Sequence, residues 1–79
     1  LLADRRPEEA IPPATAALRV DPLQERAHRV MISARLALGD RRGALDALDH
    51  CRGTLADAGL HPSEETLMVA RALDAAGQA

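Results

Sequence analysis

The chain of 79 residues contains no Phe, Tyr or Trp, and this absence restricts the folds open to it more than any other feature. Aromatic side chains supply the largest buried areas in most protein cores. A chain this short also buries only about 60–65% of the surface that its unfolded form exposes. Leu, Val, Ile, Met and Ala must therefore fill the core, which favours either closely packed helices lined by alanine or a neighbour that covers the ends of the module.

The clearest helix is predicted over residues 22–38. Asp21 has the character of an N-cap, Pro22 of a first helical residue, and Gln24 of the reciprocal capping partner. Apolar residues at steps of three and four define one face of this helix. The residues predicted to face inward are Leu23, Ala27, Val30, Met31, Ala34 and Leu38.

Two more helices are predicted after it. Gly39 is expected to end the second helix and Asp40 to cap the third. Gly59 is expected to end the third helix, and Ser63 to cap a fourth after an extended connector over residues 60–62. The inward residues of the third helix are predicted to be Ala44, Leu48, Cys51 and Leu55. The fourth helix has apolar residues in a less regular stripe, at Leu67, Val69, Ala70, Leu73 and Ala76.

The first helix has the least regular sequence. Residues 7–9 are typical of a helix start. Pro12 and Pro13 then fall inside the expected helix, where a proline costs about 3 kcal/mol. We therefore expect either a kink at these prolines or a helix that begins near Pro13 and ends near Val20. Because no alternation with period two occurs, the chain is predicted to be all-α with about four helices.

The first and third helices are related by an internal repeat. A shift of 34 residues superposes Ala10 on Ala44, Ala14 on Leu48 and Ala17 on Cys51, and about 34 residues is the period of tetratricopeptide repeats. In that frame, residues 28–55 resemble most of one repeat, with Gly39 at its turn. We therefore predict one module of tetratricopeptide-like antiparallel helix hairpins over residues 1–79. Since no Met begins the chain, we expect a fragment of a longer one.

Three segments carry motifs in a recognisable order. Residues 17–28 read A-L-R-V-D-P-L-Q-E-R-A-H, residues 34–45 read A-R-L-A-L-G-D-R-R-G-A-L, and residues 55–63 read L-A-D-A-G-L-H-P-S. Together they resemble the bacterial transcriptional activator domain, the tetratricopeptide-like domain of Streptomyces antibiotic regulatory protein-type regulators. Ala58 stands where that family usually has Leu. The resemblance implies a neighbouring winged-helix DNA-binding domain, and a role in dimerisation and in contacts with the transcription machinery.

The residues able to carry chemistry form no catalytic or metal-binding motif. His28, His50 and His61 fall on different predicted elements and lack the spacing of metal ligands. Cys51 is predicted to face inward and to act as a small hydrophobe. Ser33 has no nearby base in the sequence, and the five glycines form no phosphate-binding loop. We therefore expect no enzyme activity, no metal and no cofactor.

The net charge and the lengths of the apolar runs restrict the classes of partner that the chain can bind. The formal net charge is −2, which argues against a domain that binds nucleic-acid phosphates. DNA binding through Arg41 and Arg42, beside Asp40, is the less favoured alternative. The apolar runs are far shorter than the ~18–20 residues that span a bilayer. We expect a cytoplasmic protein with no direct nucleic-acid contact and no membrane.

The second helix carries a candidate binding surface on its other face. If this helix is the first of a repeat, that face lines the concave groove of the array. Its residues are Arg26, Arg29, Ser33, Leu36 and Ala37. Two arginines there are suited to binding the carboxylates of a peptide; the alternative is an ordinary solvated face. Glu25 and Arg29 also form an i,i+4 pair, worth only a few tenths of a kcal/mol.

The predicted function is therefore a protein–protein interaction module of a bacterial transcriptional regulator. Its partner is expected to be a protein or peptide, or a second copy of the chain through self-association. The alternative is a general tetratricopeptide scaffold that is unrelated to transcription.

Overall fold

The computed structural model describes residues 6–78, with side chains through residue 75. This part of the chain forms four helices and no strand: α1 (Pro7–Val20), α2 (Glu25–Ala37), α3 (Arg41–Asp57) and α4 (Glu64–Gln78). The short connections make neighbouring helices antiparallel, and α2 contacts all three others. The prediction of an all-α fold of tetratricopeptide-like hairpins with about four helices is confirmed.

The helix α1 runs without a break through Pro12 and Pro13, so the alternative of a helix that begins near Pro13 is wrong. It begins at Pro7, in the first turn, where a missing amide hydrogen costs nothing. The two internal prolines cannot donate to the carbonyls of Glu8 and Glu9. Glu8, Glu9 and both prolines are exposed, so water can take the place of the missing donors.

The start of α2 differs from its prediction. Asp21 is not the N-cap: its Oδ1 accepts a hydrogen bond from the amide of Leu23 at 3.1 Å. A turn follows, and the helix begins at Glu25 with Gln24 as the N-cap residue. The Asp-Pro pair therefore forms a local turn closed by the aspartate side chain, which has the same sequence signature as a cap.

The buried face of α2 also differs from its prediction. The expected inward residues divide into buried Ala27 and Ala34, half-buried Val30 and Met31, and exposed Leu23 and Leu38. The largest buried side chains of α2 are instead Ile32, fully buried, and His28, 1% exposed. Because α2 is covered by α1 on one side and by α3 and α4 on others, one apolar stripe does not describe its burial.

The helices α3 and α4 follow their predicted caps. Asp40 accepts a hydrogen bond from the amide of Gly43 at 2.8 Å, and the Oγ of Ser63 accepts one from the amide of Thr66 at 3.4 Å. All four predicted inward residues of α3 are buried. On α4, Ala70 and Leu73 are buried, Leu67 and Val69 are half-buried, and the side chain of Ala76 lies outside the described residues. Thr66, which was not predicted to face inward, is 1% exposed.

The two glycines predicted to end helices both adopt left-handed backbone, with φ of 78° at Gly39 and 75° at Gly59. The amide after each glycine reaches back to the last turn of the helix. Asp40 donates to the carbonyl of Arg35 at 2.9 Å, and Leu60 donates to that of Leu55 at 2.8 Å. Each pattern is a Schellman motif, whose left-handed position favours glycine because it has no Cβ.

The core joins α2, α3 and α4 through small and medium aliphatic side chains. Its members are Ile32, Ala44, Leu48, Ala70 and Leu73, with Leu36, Leu45, Ala47 and Val69 packed against them. Ala44 is fully buried and Ala70 is 4% exposed. Alanine at these positions lets the helix axes approach closely, which is how a chain without aromatic residues closes its core.

We expect Gly53→Ala to raise the free energy of unfolding by about 0.5–1 kcal/mol, because alanine is favoured in helix interiors. Its Cβ would meet no atom within 4 Å. Gly43→Ala in the same helix is the matched control: its Cβ would collide with the Asp40 carboxylate, and a lost cap costs about 1 kcal/mol. Chemical denaturation followed by circular dichroism measures both. Equal stabilisation by the two substitutions would contradict the role of Asp40.

Candidate functional site

An open groove of about 590 Å³ lies where the start of α1, the middle of α2 and the side of α4 meet. We call it the arginine groove; its lining includes Arg6, Arg26, Arg29, Ser33, Ala37 and Val69. The structure therefore brings together four of the five residues predicted for a concave binding surface. Leu36 is the exception, because its half-buried side chain packs against the core.

The arginines of the groove are not equivalent. Arg6 and Arg26 are exposed, and no ion pair within the described residues involves either of them. Arg29 is half-buried and donates to the Oγ of Ser63 at 3.4 Å and to the Oγ1 of Thr66 at 3.1 Å. Arg26 is thus available to a ligand, whereas Arg29 links α2 to α4.

Glu25 completes the link between α2 and α4. Its Oε2 accepts hydrogen bonds from the amide of Ser63 at 2.8 Å and from the Oγ1 of Thr66 at 2.7 Å. These two donors hold the pKa of Glu25 below its ordinary value of 4.5. Burial opposes them with a smaller effect, and the charge of Arg29 makes the smallest contribution to lowering the pKa. We call Glu25, Arg29, Ser63 and Thr66 the α2–α4 polar network.

The network differs from the simple pair predicted between Glu25 and Arg29. Both side chains reach across to the start of α4, and the described residues contain no buried polar side-chain atom without a partner. The spacing of Glu25 and Arg29 in the sequence does not predict these contacts with the start of α4. The only sequence signal was the hydroxyl pair of Ser63 and Thr66, at the positions where a helix start needs acceptors.

A second groove of about 570 Å³, the α1–α2 cleft, adjoins the first. One wall carries Ala10, Pro13, Ala14 and Ala17 of α1, and the other carries Ala27 and Val30 of α2 together with its N-cap residue, Gln24. Arg6, Glu9 and Arg26 also line it. Because Arg6, Ala10, Arg26 and Val30 line both grooves, they form one continuous surface. The apolar spacing of the sequence did not predict this cleft, although Ala10, Ala14 and Ala17 belong to the 34-residue repeat.

The histidines and the cysteine differ in burial: His28 and Cys51 are buried, whereas His50 and His61 are exposed. The Nε2 of His28 lies 2.8 Å from the carbonyl oxygen of Pro22; since a carbonyl only accepts, this nitrogen carries the hydrogen. The rings of His28 and His50 are tilted, with centroids 5.7 Å apart. Cys51 is buried, and desolvation raises the pKa of its thiol. His61 lies exposed in the α3–α4 connection.

Over the part of the chain that the structure describes, no group of three His, Cys, Asp or Glu side chains is placed to hold a metal ion. None of the helices in this part has the length and apolarity of a membrane span. The continuous surface of arginine groove and α1–α2 cleft is therefore the candidate site, and its chemistry is that of binding through exposed guanidinium groups beside apolar walls.

Residues 2–74 of the chain match the family model described as the bacterial transcriptional activator domain. This family is defined by a regulatory domain and not by an enzymatic activity. The chain matches neither a curated protein nor a solved structure.

Proposed function

The chain belongs to the bacterial transcriptional activator domain family, and from this membership we propose that it is a protein–protein interaction module of a transcriptional regulator. The module contributes to dimerisation or to contact with the transcription machinery. The observation that supports this role is the arginine groove, where the exposed Arg26 and Arg6 lie on one surface with apolar side chains.

The groove is suited to carboxylate groups of a protein or peptide. A guanidinium group binds a carboxylate through two parallel hydrogen bonds, and Arg26 is the central residue for this contact. The exposed hydroxyl of Ser33 offers a further hydrogen bond, while Ala37 and Val69 supply apolar contact. The α2–α4 polar network fixes the α4 wall against α2, so little order has to be gained on binding.

The proposed module acts in the cytoplasm and makes no direct contact with nucleic acid. Arg41 and Arg42 are exposed at the start of α3. The Nε of Arg42, however, lies 3.6 Å from Oδ1 of Asp46, and Asp40 caps the same turn. This mixture of charges is a poor match for a phosphate backbone, whose binding requires uncompensated basic side chains.

Two reporters test the proposal. In one, the chain is fused to an unrelated DNA-binding domain that binds as a monomer; in the other, the fused DNA-binding domain requires dimerisation. We expect transcription to change several-fold in at least one of them. Arg26→Glu should largely abolish that response, because it reverses the charge of the exposed groove arginine. Arg52→Glu, an exposed substitution of the same chemistry on α3, is the control and should leave the response unchanged.

If transcription changed in neither reporter although folded fusion protein was present, the proposed role in transcription would be contradicted. The general scaffold would then be the better description. A response that Arg26→Glu and Arg52→Glu reduce equally would instead remove the arginine groove from the interaction.

A further inference from the structure

We propose that the α1–α2 cleft is filled by the chain's own helix directly before α1, and that residues 1–3 form the last turn of this helix. The proposal takes up the expectation that the 79 residues are a fragment of a longer chain. It makes the cleft an internal contact of the protein and leaves the arginine groove to an outside partner. It does not rest on the proposed function in transcription.

The α1–α2 cleft has a counterpart between α3 and α4, which α2 fills. Ile32 and Leu36 of α2 pack there against residues of α3 and α4 in one buried cluster. The helix in this counterpart is therefore the one that directly precedes its first wall in the chain. By the same order, the occupant of the α1–α2 cleft is the helix directly before α1.

The walls of the two clefts correspond position by position. The starts of α1 and α3 differ by 41 − 7 = 34 residues, the period of the repeat, and those of α2 and α4 differ by 64 − 25 = 39 residues. The residues that line the α1–α2 cleft and fall on members of the buried cluster are Ala10 on Ala44, Pro13 on Ala47, Ala14 on Leu48 and Val30 on Val69. The cleft thus presents the surface that elsewhere in the chain packs against a helix, whose ridges fit the groove between two others.

The sequence just before α1 corresponds to the end of α2. Residues 1–5 lie outside the part of the chain that the structure describes. In the sequence, the 34-residue shift places Leu2 on Leu36 and Ala3 on Ala37, and both pairs are identical. Since Leu36 is one of the two side chains that α2 packs into its cleft, Leu2 is suited to the same contact in the α1–α2 cleft.

The same register predicts the second side chain that this helix packs into the cleft. Leu1 falls on Arg35, so the counterpart of Ile32 stands three residues before Leu1. We expect an aliphatic residue at least as large as isoleucine there, because the facing wall has Ala14 where α3 has Leu48. Residues at steps of three and four before it should continue the apolar face of a helix.

The outer face of α4 shows that a face directed at water has a different character. The 39-residue shift places Ile32 on Arg71, whose exposed side chain lies 3.5 Å from Glu64. A helical repeat array is polar where it ends in solvent. The walls of the α1–α2 cleft consist mainly of alanine, proline and valine side chains, which is the composition of a packed surface.

Alkylation of cysteines tests the inference on the longer natural protein and on the 79-residue chain, with N-ethylmaleimide as the probe. Ala10→Cys and Val30→Cys place one thiol on each wall of the cleft. Ala16→Cys, on the exposed face of α1, and Arg52→Cys, exposed on α3, are the matched controls. Peptide mass spectrometry follows each site separately, so the buried Cys51 does not interfere.

The wall cysteines should be modified at least about tenfold more slowly in the longer protein than in the 79-residue chain, because a buried thiol is inert. The control cysteines should differ by less than about twofold between the two proteins. Aspartate in place of the residue three positions before Leu1 should restore fast modification of the wall cysteines in the longer protein, because a carboxylate is costly to bury without a partner. Circular dichroism checks the fold of every variant.

Equal modification of the wall cysteines in the two proteins would overturn the inference, as would an upstream sequence without an apolar helix pattern in this register. Protection that the aspartate leaves in place would assign the cleft to another part of the protein. Protection in the 79-residue chain that is lost on dilution would make a second copy the occupant, and either result overturns the inference. The transcription reporters carry the 79-residue chain, so their outcome is independent of the alkylation result.

Discussion

Replacing Ile32 with alanine is expected to lower the free energy of unfolding by about 3 kcal/mol. Ile32 is fully buried and lies in the cluster that joins α2 to α3 and α4. Truncation of a buried isoleucine removes apolar contact and leaves a cavity, at a cost of about 2–5 kcal/mol. The total stability of a chain this short is on the order of several kcal/mol, so we expect a large fraction of the variant to be unfolded at 37 °C.

Met68→Ala is the control for this prediction, because Met68 is 60% exposed on α4 and its truncation should change stability by less than about 0.5 kcal/mol. Thermal and urea denaturation followed by circular dichroism give both values. A loss below about 1 kcal/mol for Ile32→Ala would mean that the buried face of α2 is not the one found here. The face predicted from apolar spacing omitted Ile32, so the experiment separates the two assignments.

Glu25→Ala is expected to lower the free energy of unfolding by about 1–2 kcal/mol at neutral pH. The substitution removes the acceptor of two hydrogen bonds to a charged group, each bond of this kind contributing about 1.5–3 kcal/mol, and partial exposure of Glu25 lets water recover part of the loss. It leaves the buried hydroxyl of Thr66 with fewer partners, and it removes the carboxylate whose pKa the charge of Arg29 helps to lower. Because the two hydrogen bonds join α2 to the start of α4, we expect α4 to lose most order.

The control is Arg71→Ala, which breaks the exposed ion pair between Arg71 and Glu64 at 3.5 Å. Such a pair contributes about 0–1 kcal/mol, so this variant should stay close to the wild type. Hydrogen exchange of the α4 amides, measured together with denaturation, locates the effect. Faster exchange in α4 for Glu25→Ala but not for Arg71→Ala is the expected result. Unchanged exchange in both would show that the network does not hold α4.

The same network has a defined pH dependence. The pKa of Glu25 is lower in the folded chain than its ordinary value of 4.5, so the folded state binds fewer protons than the unfolded state. The extra stability is complete above pH 4.5 and disappears as the pH falls through the folded pKa. The stability difference between the wild type and Glu25→Ala should therefore be constant above that pH and shrink below it, since the other carboxylates contribute equally to both proteins.

The sequence alone determined most features of this protein that depend on residues close together in the chain. The start of α2 is the exception, because the turn at Asp21 has the same sequence signature as a cap. A helix cap joins a side chain to an amide about three residues away, so the caps of α3 and α4 were predictable. The left-handed position after a helix strongly favours glycine, so the ends of α2 and α3 were predictable too. The prediction for the inward face of α3 was also correct, because that helix buries a single stripe of apolar residues.

The tertiary structure decided the features that depend on contacts between helices. Ile32 and His28 are buried because α2 is covered from more than one side, which the periodicity of one helix cannot express. The hydrogen bonds of Glu25 and Arg29 to Ser63 and Thr66 join residues 34 to 41 positions apart. Their partners depend on how the hairpins stack, and that arrangement is set by the packing of the whole chain.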